Sequence, residues 1–107
     1  MQYKKWEIWL AKVKYEDDPS TVKIRPVLIV APQEVLVIAF KMTGTERIQD
    51  YKVKDWQGAG LDKETFIIVN LKLALEEHDL SGKIGMLQPN DIIGFQKHLA
   101  QSRQSVV

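Results

Sequence analysis

The apolar positions of the first third of the chain alternate, then merge. In "EIWLAKVKY", Trp9, Ala11, Val13 and Tyr15 share one face and Lys12 and Lys14 the other, the period of two that marks a half-buried strand. "EDDPST" follows as a loop of acids, a proline and small hydroxyls. In "KIRPVLIVA", Lys23 to Ala31, the run Val27 to Val30 is apolar without a break and β-branched apart from Leu28, so it predicts a strand buried on both faces. Pro32 ends it, since proline donates nothing to a ladder. "EVLVIAFKM" predicts a third strand of the same kind, and the short "PQ" link makes a hairpin of the two.

"TGTE" is a turn, and "RIQDYKVKDW" predicts a fourth strand carrying Ile48, Tyr51 and Val53. "DWQGAGL" predicts one helical turn, started by Asp55 and ended by Gly58 or Gly60. "ETFIIVNLKL" is the fifth strand. "ALEEHDLSGKIGML" predicts an extended piece or short helix, a glycine turn at Gly82 and a short strand near Ile84 to Leu87. "QPNDIIGFQKHLAQSRQ" predicts a helix, with Pro89 first, Asp91 in the opening turn and Ile92, Phe95 and Leu99 on one side. Residues 102–107 are expected to fray. Of the tryptophans, Trp9 is expected in the core and Trp56 against the short helical turn, while Trp6 is open to either a packing or a stacking role.

The pattern is mainly β with a C-terminal helix: five to six short strands, best accommodated by a small barrel that leaves no exposed edge. All 107 residues are expected to form a single domain, long enough to bury roughly two thirds of the unfolded surface. There is no cysteine, which excludes disulfides and thiolate chemistry. No apolar window approaches the ~18 residues of a membrane span, and the N-terminus lacks a signal-peptide pattern, so a cytoplasmic protein without membrane contact is expected. With 15 basic and 14 acidic residues, any nucleic-acid contact must come from a local patch. His78 and His98 stand alone, without metal-ligand spacing, and read as surface or structural residues; no metal and no cofactor is expected.

Arg25 and Pro26 stand at the entry of the second buried strand. The guanidinium could pair with the acids of the preceding loop. It could also meet a phosphate, whose oxygens match its fork of donors, with Pro26 holding the backbone extended. Thr43 ends the third strand, opposite Arg25 if strands two and three form the hairpin, and its hydroxyl could donate to a phosphate oxygen.

The order "EIWLAKV", acidic loop, "KIRPVLIVA", "VLVIAFKMT", "DYKVKDWQGAGL" and "GKIGMLQPNDIIGF" resembles the MazF/PemK-like toxin endoribonucleases, over nearly the whole chain from Lys5 to Leu99. The resemblance implies an SH3-like barrel of the MazF/PemK/CcdB kind. It implies a homodimer, metal-independent cleavage of single-stranded RNA by 2′-hydroxyl attack on the adjacent phosphate, and a cognate antitoxin as partner in a type II toxin–antitoxin system. The family's functional arginine falls on Arg25 and its functional threonine on Thr43, with Thr45 the neighbouring alternative; Lys23, Lys41 and Thr45 are RNA-contact candidates. The first strand opens with Trp6-Glu7 where family members usually have Gly-Asp. Two further readings remain: a non-catalytic binding protein on the same barrel, such as a gyrase inhibitor, and an inactive relative. The aromatic C-terminus wanted for the former is absent from "QSRQSVV".

Overall fold

A computed structural model describes residues 3–14, 20–33 and 35–104. The strands are β1 (Glu7–Lys14), β2 (Val22–Pro32), β3 (Val37–Thr43), β4 (Tyr51–Lys52), β5 (Phe66–Leu75) and β6 (Leu80–Met86), followed by helix α1 (Pro89–Gln104). They form one antiparallel sheet in the order β4-β5-β3-β2-β1-β6. β1, β2 and β3 are neighbours in that order, β2 and β3 pair as the expected hairpin, and Gln33 N–H after β2 donates to the Leu36 carbonyl before β3 at 3.0 Å. Tyr15, the acidic loop at 16–18 and the last three residues lie outside the described residues.

The sheet curls because its two edges meet through the "DWQGAGL" segment. Ala59 N–H donates to the Asp55 carbonyl, Gly58 N–H to the Asp55 carboxylate, and Gly60 turns back at φ +92°, so the expected helical turn forms with its expected ends. Met86 N–H at the end of β6 then donates to the Ala59 carbonyl at 3.2 Å. Glycine is required at this seam: a Cβ on Gly85 would overlap the Ala59 carbonyl, and one on Gly60 would lie 2.6 Å from the Ile84 carbonyl oxygen.

Inside the curl, Ile8, Leu28, Met42 and Ile67 are fully buried, and α1 closes the end with Phe95. The Phe95 ring meets Phe40, Tyr51 and Trp6 edge-on at centroid distances of 5.3, 5.8 and 6.3 Å. Ile92 and Leu99 pack against the same core, as their helical spacing requires. On the other face of β1–β3, Ala11, Val13, Val27 and Ala39 form a smaller cluster with Trp9 against it. Lys12 and Lys14 are exposed, so the alternation read in β1 holds.

Two expectations need correction. The fourth strand shrinks to Tyr51–Lys52. Ile48 and Tyr51 are three residues apart, out of step with a strand, and Ile48 points fully into solvent. The chain before Tyr51 turns instead, with Asp50 N–H on the Arg47 carbonyl and an Arg47–Asp50 ion pair at 3.4 Å. Gly82 is no turn: it lies inside β6 opposite Leu10, beside a register shift of the β1–β6 ladder. The preceding segment contains a 3-10 turn at Glu77–Asp79.

Trp6 is the one non-glycine with positive φ (75°) among the described residues. Its N–H donates to the Ile29 carbonyl at 2.7 Å and its carbonyl accepts from Leu87 N–H at 2.8 Å. Those two bonds fix a left-handed backbone that an L-residue adopts only at a cost. The indole packs onto the core beside Phe95, with Lys5 Nζ 5.0 Å from its centre, so the open tryptophan is largely a packing residue.

Candidate active site

The β2–β3 register pairs Val27 with Lys41, Leu28 with Phe40 and Ile29 with Ala39. Two residues beyond the Val27–Lys41 pair, Arg25 of β2 pairs with Ala11 of β1 and Thr43 of β3 with Phe66 of β5. Arg25 and Thr43 both line one cleft of about 660 Å³ at that end of the sheet. Pro26, Leu10 and Ile84 supply apolar lining, and the turn Thr43-Gly44-Thr45 forms one wall. Leu61, Asp62, Lys63 and Thr65, from the segment joining the helical turn to β5, also line it.

Each wall is set by local bonding. Arg25 Nη1 donates to the Ile24 carbonyl at 3.1 Å, which draws the guanidinium along its own strand. Thr45 N–H donates to Thr43 Oγ1 at 3.1 Å, a hydroxyl-closed turn that spends an acceptor lone pair of Oγ1 and keeps its O–H for donation. Thr65 is buried; its hydroxyl donates to the Lys63 carbonyl at 2.9 Å and its carbonyl accepts from Val53 N–H at 3.0 Å. The charged residues of the lining are Arg25, Lys63 and Asp62.

Thr45 lies in this cleft and is exposed. Lys23 and Lys41 do not line it. Lys23 of β2 pairs with Val13 of β1, and Lys41 of β3 pairs with Val27 of β2, so alternation puts both on the sheet face that carries Arg25, further along the strands. His98 accompanies Gln49, with Nε2 2.7 Å from its carbonyl, and His78 sits exposed beside Glu76 and Asp79. Sequence reasoning missed Asp62 and Lys63. They precede a predicted strand with no motif around them, and only the closure of the sheet carries them to the arginine.

No family model and no curated protein sequence matches the chain. Solved structures do match its fold. The Mycobacterium tuberculosis toxin MazF-mt6 superposes with a TM-score of 0.73 over 92% of this chain and 96% of its own, at 20% sequence identity. An endoribonuclease in complex with its cognate antitoxin, from a mycobacterial species, gives 0.74 over 94% and 93%, at 16% identity. The fold defined above is therefore that of the MazF toxins, as the sequence resemblance implied.

Proposed function

We propose that this protein is the toxin of a type II toxin–antitoxin pair, a sequence-specific endoribonuclease that cleaves single-stranded RNA in the cytoplasm without a metal ion. The observation that carries this reading is the cleft that Arg25 and Thr43 both line, on a fold similar to that of a MazF toxin and an antitoxin-bound endoribonuclease. The 2′-hydroxyl oxygen attacks the neighbouring phosphorus and the bond to the 5′-oxygen breaks, leaving a 2′,3′-cyclic phosphate and a 5′-hydroxyl. One proton leaves the 2′-oxygen and one is taken up by the 5′-oxygen, so the step needs no co-reactant. Negative charge grows on the phosphoryl oxygens as the attack proceeds, and a guanidinium beside them stabilises it. Arginine stays protonated throughout, so Arg25 acts as a cation and donor, not as a base. The Thr43 hydroxyl, held by Thr45 N–H, donates to a phosphoryl oxygen. The requirement for a 2′-hydroxyl selects RNA over DNA.

In this reading the protein works as a homodimer, whose joined basic surfaces let a chain of net charge +1 hold RNA, and an antitoxin covers that groove. Lys23, Lys41 and Thr45 contact RNA beyond the scissile phosphate. The test is incubation of the purified protein with a long single-stranded RNA in EDTA, beside Arg25→Ala, with fragment ends mapped. Cuts at a defined motif by the wild type alone, with 5′-hydroxyl ends, support the assignment. Absence of cutting by the folded protein overturns it.

A further inference from the structure

We infer that Lys63 is a second phosphate-binding cation of the cleft, taking the RNA phosphate next to the one held at Arg25. The inference rests on the ribonuclease reading and adds a residue that neither the strand pattern nor the Arg-Pro pair reveals.

Lys63 lies across the Thr43-Gly44-Thr45 turn. A Cβ on Gly44 would lie 3.0 Å from Lys63 Cε and 3.2 Å from Nζ, so the bare glycine gives the lysine tip its seat against this wall. The lysine's own backbone is held by the buried Thr65 hydroxyl on its carbonyl. Its acidic neighbour Glu64 turns away to pair with Lys52 at 3.7 Å. Among the described residues Lys63 makes no ion pair, and the lining carries two cations against the single carboxylate of Asp62. A cleft with cations on two walls and apolar residues between them suits a chain of phosphates with unstacked bases. An ammonium on a flexible stem is a point charge that can follow a mobile backbone phosphate, whereas the arginine fork holds one phosphate in a fixed geometry.

The experiment measures binding apart from cleavage. The probe is a random-sequence single-stranded RNA with 2′-O-methyl groups throughout, which cannot undergo 2′-attack. Its affinity is followed against salt concentration for the wild type, Lys63→Gln and Lys63→Arg, with thermal melting of each protein as a check on folding. Losing one phosphate contact lowers the slope of log K against log salt by about 0.7 for a single strand. Lys63→Gln is expected to show that loss and weaker binding at low salt, and to raise KM for unmodified RNA far more than it lowers kcat; Lys63→Arg restores the slope. A folded Lys63→Gln protein with the slope and KM of the wild type overturns the inference and leaves the ribonuclease reading intact. A wild type that neither binds the probe nor cuts RNA removes both.

Discussion

Tyr51 and Asp91, forty residues apart, share a buried hydrogen bond in which the phenol donates to Asp91 Oδ1 at 2.7 Å. Lys54 N–H donates to the same oxygen and Asp55 N–H to Oδ2, both at 2.9 Å. The fully buried carboxylate at the start of α1 thus locks the helix to the segment that closes the barrel.

Asp91→Ala leaves three donors unanswered and is expected to cost at least about 3 kcal/mol, lowering the melting temperature by upwards of ~12 °C. Asp91→Asn keeps the volume but presents an amide nitrogen to one donor, so it is also strongly destabilising. Tyr51→Phe loses one bond and costs about 2 kcal/mol. Denaturant unfolding of the three variants checks the order.

The same contact predicts alkaline behaviour. Burial, and next the Asp91 hydrogen bond and charge, raise the Tyr51 phenol well above its ordinary value. The unfolded phenol therefore ionises first. Stability from this group is complete below about pH 10 and is lost as pH rises beyond it, toward the folded value. Unfolding curves across that range should steepen for the wild type relative to Tyr51→Phe; parallel curves would remove Tyr51 as the cause.

Glu7 predicts the acid side. Burial pushes its carboxyl up, but hydrogen bonds from Lys83, Trp9 Nε1 and Lys4 N–H, with the Lys83 charge, outweigh it and hold the group below its ordinary value of 4.5. A depressed carboxyl contributes stability above its unfolded pKa, and that contribution disappears as pH falls through the folded value. Glu7→Gln should be less stable than wild type at neutral pH, and the difference should narrow below about pH 4.

At position 6 the usual order of glycine and alanine should invert. Trp6→Gly and Trp6→Ala both lose the indole packing beside Phe95. Glycine accepts φ 75° and alanine does not, so the glycine variant is expected to be the more stable by about 1 kcal/mol. Equal midpoints in urea would show that the backbone relaxes there.

In the cleft, Arg25→Ala should reduce the rate of RNA cleavage by at least about 10²–10³ with folding preserved. Thr43→Val removes both the turn-closing acceptor and the donor, whereas Thr43→Ser keeps both and should retain most activity. A Thr43→Val enzyme as active as wild type would move the role to Thr45, whose own substitution then decides it.

The local pattern was enough to read β1, β2, β3, β5 and α1, because alternation, β-branched runs and helical spacing are written in neighbouring residues. The places of Arg25 on β2 and Thr43 at the end of β3 were legible for the same reason. It failed at Ile48, whose hydrophobicity suggested a strand in a stretch whose spacing is a turn's, and at Gly82, where a glycine read as a turn sits within a paired strand. Asp91 read as a favourable charge at a helix start, although its three donors come from residues 51 to 55. Lys63 carried no signal at all. The sequence by itself determined which segments extend, which coils into a helix and that an arginine-proline pair stands at the entry of β2. The tertiary structure alone decided what meets what, since the Ala59–Met86 seam, the Asp91 carboxylate and the Gly44 seat of Lys63 each join residues far apart in the chain. Such contacts form only once the sheet has curled, so they are properties of closure and not of any local stretch of residues.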